Sequence, residues 1–184
     1  MPKSQKIIGI DPGTNILGYA IIEMVDNSIK VQDVGVLNLK SFPDHQTKLK
    51  EIYLQLQEII ETYLPQQMAI EAPFYGKNVQ SMLKLGRAQG VAMAAAITMG
   101  LEIIEYSPKK IKQSITGNGN ASKEQVASML TSMLKFKLIE NHTDATDALA
   151  TAVCHYHQLK RGGIKTPKTN NWKKFLKDNP HRVK

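Results

Sequence analysis

Apolar positions follow two rhythms along the chain, and their order predicts an architecture. Ile7, Ile8 and Ile10 are β-branched and occupy both parities, which predicts a strand buried on both faces in the middle of a sheet. It stops abruptly at Asp11-Pro12-Gly13, a turn signal. Gly18 to Met24 predicts a second strand, Val25 to Ser28 a turn, and Ile29 to Leu39 a third strand. Three consecutive strands with short links predict an antiparallel meander. The rhythm then changes. Leu49, Ile52, Leu56, Ile59, Ile60 and Tyr63 recur at helical spacing until Pro65 stops them. Met68 to Glu71 predicts a short fourth strand, residues 78–99 a long helix, and Leu101 to Tyr106 a fifth strand. Ser107-Pro108 opens a short helix with serine as N-cap and proline at the first position. Ser122 to Gln125 matches a capping box and opens a helix through about Leu134. A last helix is expected from near Asp144 to about Leu159.

Three antiparallel strands, then alternating helix and strand, then helices, match an α/β fold of the ribonuclease H-like type. Its mixed five-stranded sheet would hold three antiparallel strands and then two parallel ones, flanked by helices. The helix over 78–99 is rich in small residues, Gly86, Ala88, Gly90, Ala92 and Ala94 to Ala96. Such a surface lets a neighbouring helix or a second subunit come close.

Asp11 would sit at the end of a central strand, where a carboxylate is costly unless something positive meets it. The alternative is that the N–H groups of its own turn satisfy it. Glu71 ends the fourth strand as Asp11 ends the first. If those strands are adjacent and parallel, both acids open at the sheet edge where α/β proteins bind ligands. Asp144 and Asp147 are three apart and share a helix face. Both are expected in the first turn, where the helix dipole tolerates negative charge. Ordinary helix-terminal charge is the plain alternative for that pair. Ala145, Ala148, Leu149, Ala150 and Ala152 imply a face packed tightly on the sheet. Whether that face also carries Asp144 and Asp147 stays open. Four clustered carboxylates repel one another unless they share protons or bind cations. All-oxygen ligation selects hard ions such as Mg²⁺ or Mn²⁺. Two such ions about 3.5–4 Å apart suit in-line phosphoryl displacement.

Composition sets the outer bounds. A chain of 184 residues, 42% apolar, suffices for one domain with a real core. No apolar run approaches the ~20 residues of a membrane span, and the first residues lack the apolar stretch of a signal peptide. Cys154 is the single cysteine, which excludes a disulfide framework and a thiolate metal cage. A cytoplasmic setting is the expectation. The net charge of +8 is uneven. Residues 161–184 hold eight Lys/Arg and one Asp, a balance of +7, which leaves +1 for residues 1–160. The division expected is a ribonuclease H-like domain over 1–160 and a basic, mobile tail over 161–184, where Trp172, Phe175 and Leu176 could form a docking turn. Within the body, residues 77–123 carry Lys77, Lys84, Arg87, Lys109, Lys110, Lys112 and Lys123 against Glu102 and Glu105. A basic patch with a basic tail suits a polyanion; a merely solvated surface is the alternative.

Five segments occur in order: residues 8–14 (Ile-Gly-Ile-Asp-Pro-Gly-Thr), Ile70-Glu71, residues 107–112, residues 116–123 and residues 144–150. Together they resemble the RuvC family of bacterial Holliday junction resolvases, over about residues 6–158. The resemblance implies a homodimeric, Mg²⁺-dependent endonuclease with a ribonuclease H-like fold. Such enzymes nick two opposed strands of a four-way DNA junction, leave 5′-phosphates, and work with the RuvA–RuvB branch-migration complex. It implies that Asp11, Glu71, Asp144 and Asp147 are catalytic and hold two Mg²⁺, for which Mn²⁺ can substitute. It also implies that Lys112 and Lys123 meet the DNA backbone and that Phe74 stacks at the junction centre. Tyr75 beside Phe74 keeps that last assignment loose. His142 could relay a proton, but a lone loop histidine is more often a surface residue and it stays outside the site; His155 and His157 lie too far along the last helix for the same metal.

Three rivals remain open. The Asp11 turn also looks like the first phosphate motif of actin-like ATPases and sugar kinases, which need two such domains. The glycines at 117 and 119 form no P-loop or dinucleotide fingerprint, so no nucleotide cofactor and no membrane is expected. A non-catalytic DNA-binding module and another ribonuclease H-like nuclease or transposase complete the set.

Overall fold

The computed structural model describes residues 5–26, 28–73, 78–135, 143–160 and 162. Five strands form one sheet: β1 (Gln5–Asp11), β2 (Ile16–Val25), β3 (Ser28–Asn38), β4 (Gln67–Glu71) and β5 (Glu102–Tyr106). Their order is β3-β2-β1-β4-β5. The first three pair antiparallel, and β4 joins β1 and β5 in parallel. The expected mixed sheet and meander are therefore present. The helices are α1 (His45–Tyr63), α2 (Val79–Thr98), α3 (Pro108–Thr116), α4 (Lys123–Leu134) and α5 (Thr143–Lys160). No helix among the described residues is long and apolar enough to cross a membrane.

Strand parity sorts the core into two layers. Ile8, Ile10, Leu17, Ile21, Met68 and Ile70 enter one cluster with residues of α1 and α2. Ile7, Ala20, Ile22 and Ala69 enter the other, with residues of α3, α4 and α5. Asp11 and Glu71 stand two residues beyond Gly9 and Ala69, so both fall on the α5 side.

Local chemistry explains the element ends. Helix α1 begins at His45, one turn before its first apolar residue. Asp44 caps it there, accepting from Thr47 N at 2.8 Å. The chain leaves α1 through Leu64 at φ 53°, ahead of Pro65. Ser107 caps α3, with Pro108 first in the helix. Ser122 and Gln125 form the reciprocal capping box of α4.

Candidate active site

Backbone proximity builds the site. A Cβ on Gly9 would lie 2.2 Å from the Ala148 carbonyl oxygen, and one on Gly18 would lie 2.0 Å from that of Asp144. Bare backbone on β1 and β2 thus lets α5 lie directly on the sheet, and Ala145, Ala148 and Ala152 fill the seam, each 4% exposed or less. Gly18 is the register partner of Asp11. The same contact that seats α5 therefore brings its amino end over the end of β1. Asp144 lies in the first turn of α5. Asp147 falls one residue past that turn, a correction to the expectation that both lie in it.

Glu71 follows Ile70, the register partner of Ile10, so the two strand-end acids stand side by side. Electrostatics ties all four together. Burial pushes the Asp11 carboxyl up to about 8, and Glu71, Asp147 and Asp144 push it in the same direction. Burial, then Asp147, pushes Glu71 up to about 7. Lys123 opposes the shift at both, and Lys112 opposes it at Glu71. The Lys123 ammonium pairs with Asp147 Oδ2 at 2.5 Å. That contact, with the neighbouring acids, raises the lysine's own affinity for its proton. In this arrangement no three acidic, His or Cys side chains among the described residues converge tightly enough to chelate an ion.

The structure thus gathers Asp11, Glu71, Asp144, Asp147, Lys112 and Lys123 at one sheet edge. Phe74, Tyr75, His142 and the tail apart from Gly162 lie outside the described residues. Sequence reasoning missed Gly9 and Gly18, and also Gln89. That glutamine is 7% exposed. Its Nε2 donates to Glu105 Oε2 at 3.0 Å and to the Glu71 carbonyl at 3.4 Å, steadying the end of β4. An amide set next to the buried small residues of α2 was the available signal.

Residues 7–155 match the family model for crossover junction endodeoxyribonuclease RuvC. This chain belongs to the RuvC family. The crossover junction endodeoxyribonuclease RuvC of Cytophaga hutchinsonii is 54% identical over 178 residues, 97% of this chain and 88% of that protein. Its Porphyromonas gingivalis counterpart is 50% identical, covering 100% of this chain and 99% of that one. Among solved structures, a T. thermophilus RuvC in complex with Holliday junction substrate is similar with a TM-score of 0.76 and 25% identity. The match covers 86% of this chain and 96% of that one. Family membership favours a nuclease over the two-domain ATPases whose phosphate motif the Asp11 turn also resembles.

Proposed function

We propose that the chain resolves four-way DNA junctions by hydrolysing one phosphodiester in each of two opposed strands, leaving ligatable 5′-phosphates. The observation that carries this is the convergence of Asp11, Glu71, Asp144 and Asp147 on one sheet edge in a chain of the RuvC family. Those four would hold divalent cations, two Mg²⁺ or in their place Mn²⁺. The donor set fits hard ions, being all oxygen, with two members whose charge the protein itself disfavours. Bound there, such ions supply an acidified water and positive charge for the leaving 3′ oxygen.

The chain's own groups do the rest. With no cation present Asp11 favours its protonated form at neutral pH and Glu71 is divided between its two forms, which relieves the mutual repulsion; a bound cation would favour the ionised form of both. Lys123 offsets Asp147 and, with Lys112, offers positive charge to an incoming phosphodiester. Gln89 holds the end of β4, and so the position of Glu71. Phe74 would stack at the junction centre.

Two opposed cuts need two sites related by a two-fold axis, which argues for a homodimer. The exposed stripe of α2 supports that reading. Val79, Leu83 and Ile97 are 64%, 55% and 62% exposed, and nothing lies within 4 Å of a Cβ built on Gly86 or Gly90. These positions are spaced by four, three, four and seven residues, which keeps them on one face of the helix. The RuvA–RuvB branch-migration complex is the partner proposed, in the cytoplasm.

A synthetic four-way junction incubated with Mg²⁺ tests the proposal, beside linear duplex and RNA–DNA hybrid. Paired nicks in the junction alone are expected. Equal cutting of the hybrid would point instead to another ribonuclease H-like nuclease. Tight binding without cutting would leave a DNA-binding module.

A further inference from the structure

A cavity of about 380 Å³ opens across the end of the sheet from the carboxylates, on the α1 and α2 side. Thr14 and Asn15, just past the Asp11 turn, form one wall; the first turns of α1 and α2 form the others, with Lys48 and Lys84. Arg87 stands three residues beyond Lys84, on the same face of α2. The Lys48 ammonium is tied to Asn15 Oδ1 at 2.7 Å. Neither Lys84 nor Arg87 has a carboxylate partner among the described residues. The one acid on the cavity wall is Asp44, and its two oxygens are held by Thr47. Oδ1 accepts from Thr47 N and Oδ2 from Thr47 Oγ1, both at 2.8 Å. His45 also lines the cavity, and its buried Nε2 finds no hydrogen-bond partner among the described residues. Burial and then Arg87, Lys84 and Lys48 disfavour a proton on its ring, against the pull of Asp44. Cations, hydroxyls and an amide converge there against one carboxylate, whose oxygens are taken up by Thr47. That is the chemistry of an oxyanion site.

Position selects which oxyanion. Thr14 is three residues from Asp11, so the backbone between them spans at most about 10 Å. Duplex DNA carries one phosphate charge per ~1.7 Å of axis. A duplex presenting a phosphodiester to Asp11 therefore brings others across this cavity. The carboxylates face the α5 side of the sheet and the cavity faces the α1–α2 side, so a duplex crossing the sheet edge meets both. We propose that this cavity is a second phosphate site, gripping the DNA backbone that flanks the scissile bond and fixing how the arm crosses the sheet edge; this rests on the resolvase reading above.

The test measures junction affinity against salt in the Asp11→Asn chain, which is expected to bind without cutting. Lys84→Ala should reduce the log–log salt slope by about 0.9, and Lys48→Ala/Lys84→Ala by about 1.8, if each lysine meets one phosphate. Lys84→Arg should keep the original slope. Lys30→Ala removes the same charge at the opposite sheet edge, where Lys30 pairs in register with Glu23 and Glu23 with Lys6; it should leave the slope unchanged. Lys84 is an exposed side chain, so its removal does not threaten the fold. A double variant with the parental slope would overturn the site. So would a double variant that keeps the parental slope yet loses calorimetric binding of inorganic phosphate, which would mark a small-anion site instead. Wild-type chain that cuts the junction while these variants show no slope change sinks the second site alone. A wild-type chain that neither binds nor cuts sinks both readings.

Discussion

Helix α5 meets buried polar groups at both of its ends, with opposite outcomes. Near its carboxyl end, His155 is 1% exposed. Its Nδ1 contacts Tyr106 Oη at 2.7 Å and its Nε2 contacts Gln67 Oε1 at 3.0 Å. Gln67 Nε2 donates to Glu102 Oε2 at 2.8 Å, which orients the amide so that its oxygen faces the ring. A neutral ring protonated at Nε2 then satisfies every contact, and burial holds the His155 pKa down to about 4. At the amino end, Asp11, Glu71, Asp144 and Asp147 share, among the described residues, one counter-cation placed to pair directly, Lys123, and burial leaves two of them proton-hungry. Gln67 and Glu71 lie on one strand and one face, about 13 Å apart. Burial is thus common to both ends. A set that satisfies itself holds the fold together, while a set with unmet charge calls for a ligand.

The largest effect should come from Asp11→Asn. It removes one proposed ligand and one buried charge. Cutting should fall at least ~100-fold, the scale of losing one preorganised charge-stabilising group, with junction binding intact or tighter. Single-turnover cutting at saturating protein checks it; a variant cutting at near wild-type rate would dissolve the contrast between the two ends.

The same unmet charge should appear as pH-dependent stability in cation-free protein. Asp11 is raised from 3.8 to about 8 and Glu71 from 4.5 to about 7. Between roughly pH 4 and 8 the folded chain therefore holds more protons than the unfolded chain. The stability carried by the protonated forms is full below about pH 4 and is lost as pH rises through 7 and 8. The melting temperature should fall from pH 5 to pH 8.5, and Mg²⁺ added at pH 8.5 should restore it. Asp11→Asn should flatten the profile.

The strands and the acids at their ends were legible because periodicity and turn residues are local. The isoleucines of β1 and the Pro-Gly after Asp11 state both directly. The rotation of α5 over the sheet was not, and with it the face carrying Asp144 and Asp147. That rotation is set by Gly9 and Gly18, whose contribution is an absent side chain, and its meaning depends on a helix more than a hundred residues away. Likewise the pairing of Lys123 with Asp147 has no local signature, since it depends on how α4 and α5 are placed. The polar first turn of α1 hid its start from a search for apolar spacing, although Asp44 was there to mark it.

Gly9→Ala tests the seating of α5. The new methyl would meet the Ala148 oxygen at 2.2 Å and Ala152 Cβ at 2.7 Å, neither on a flexible side chain. The helix must lift, at a cost of about 1–3 kcal/mol or more, and cutting should fall because Asp144 and Asp147 ride on α5. Gly86→Ala is the matched control. It meets nothing within 4 Å and should leave melting unchanged or raise stability by up to ~1 kcal/mol through helix propensity. Melting temperature on both variants separates seating from mere glycine replacement; cutting is read on Gly9→Ala alone, since Gly86 lies on the stripe of α2 proposed for the dimer contact.

The smallest effect should come from the satisfied end. His155→Phe keeps the bulk but leaves Tyr106 Oη and Gln67 Oε1 without their ring partner. The expected loss is about 1–3 kcal/mol of stability, with cutting at saturating Mg²⁺ unchanged below the melting transition. The pH signature should run opposite to that of the acids. The His155 pKa is lowered from 6.5 to about 4, so its contribution is present above pH 6.5 and lost as pH falls toward 4. Between about pH 4.5 and 6.5 the folded chain holds two extra protons on Asp11 and Glu71 and lacks one on His155, so cation-free wild type still gains stability toward acid, but less steeply than the acids alone would give. His155→Phe should steepen that gain and leave the fall toward base intact. A well-folded His155→Phe chain that no longer cuts would mean that the two ends of α5 act as one site, and the division drawn between them would fail.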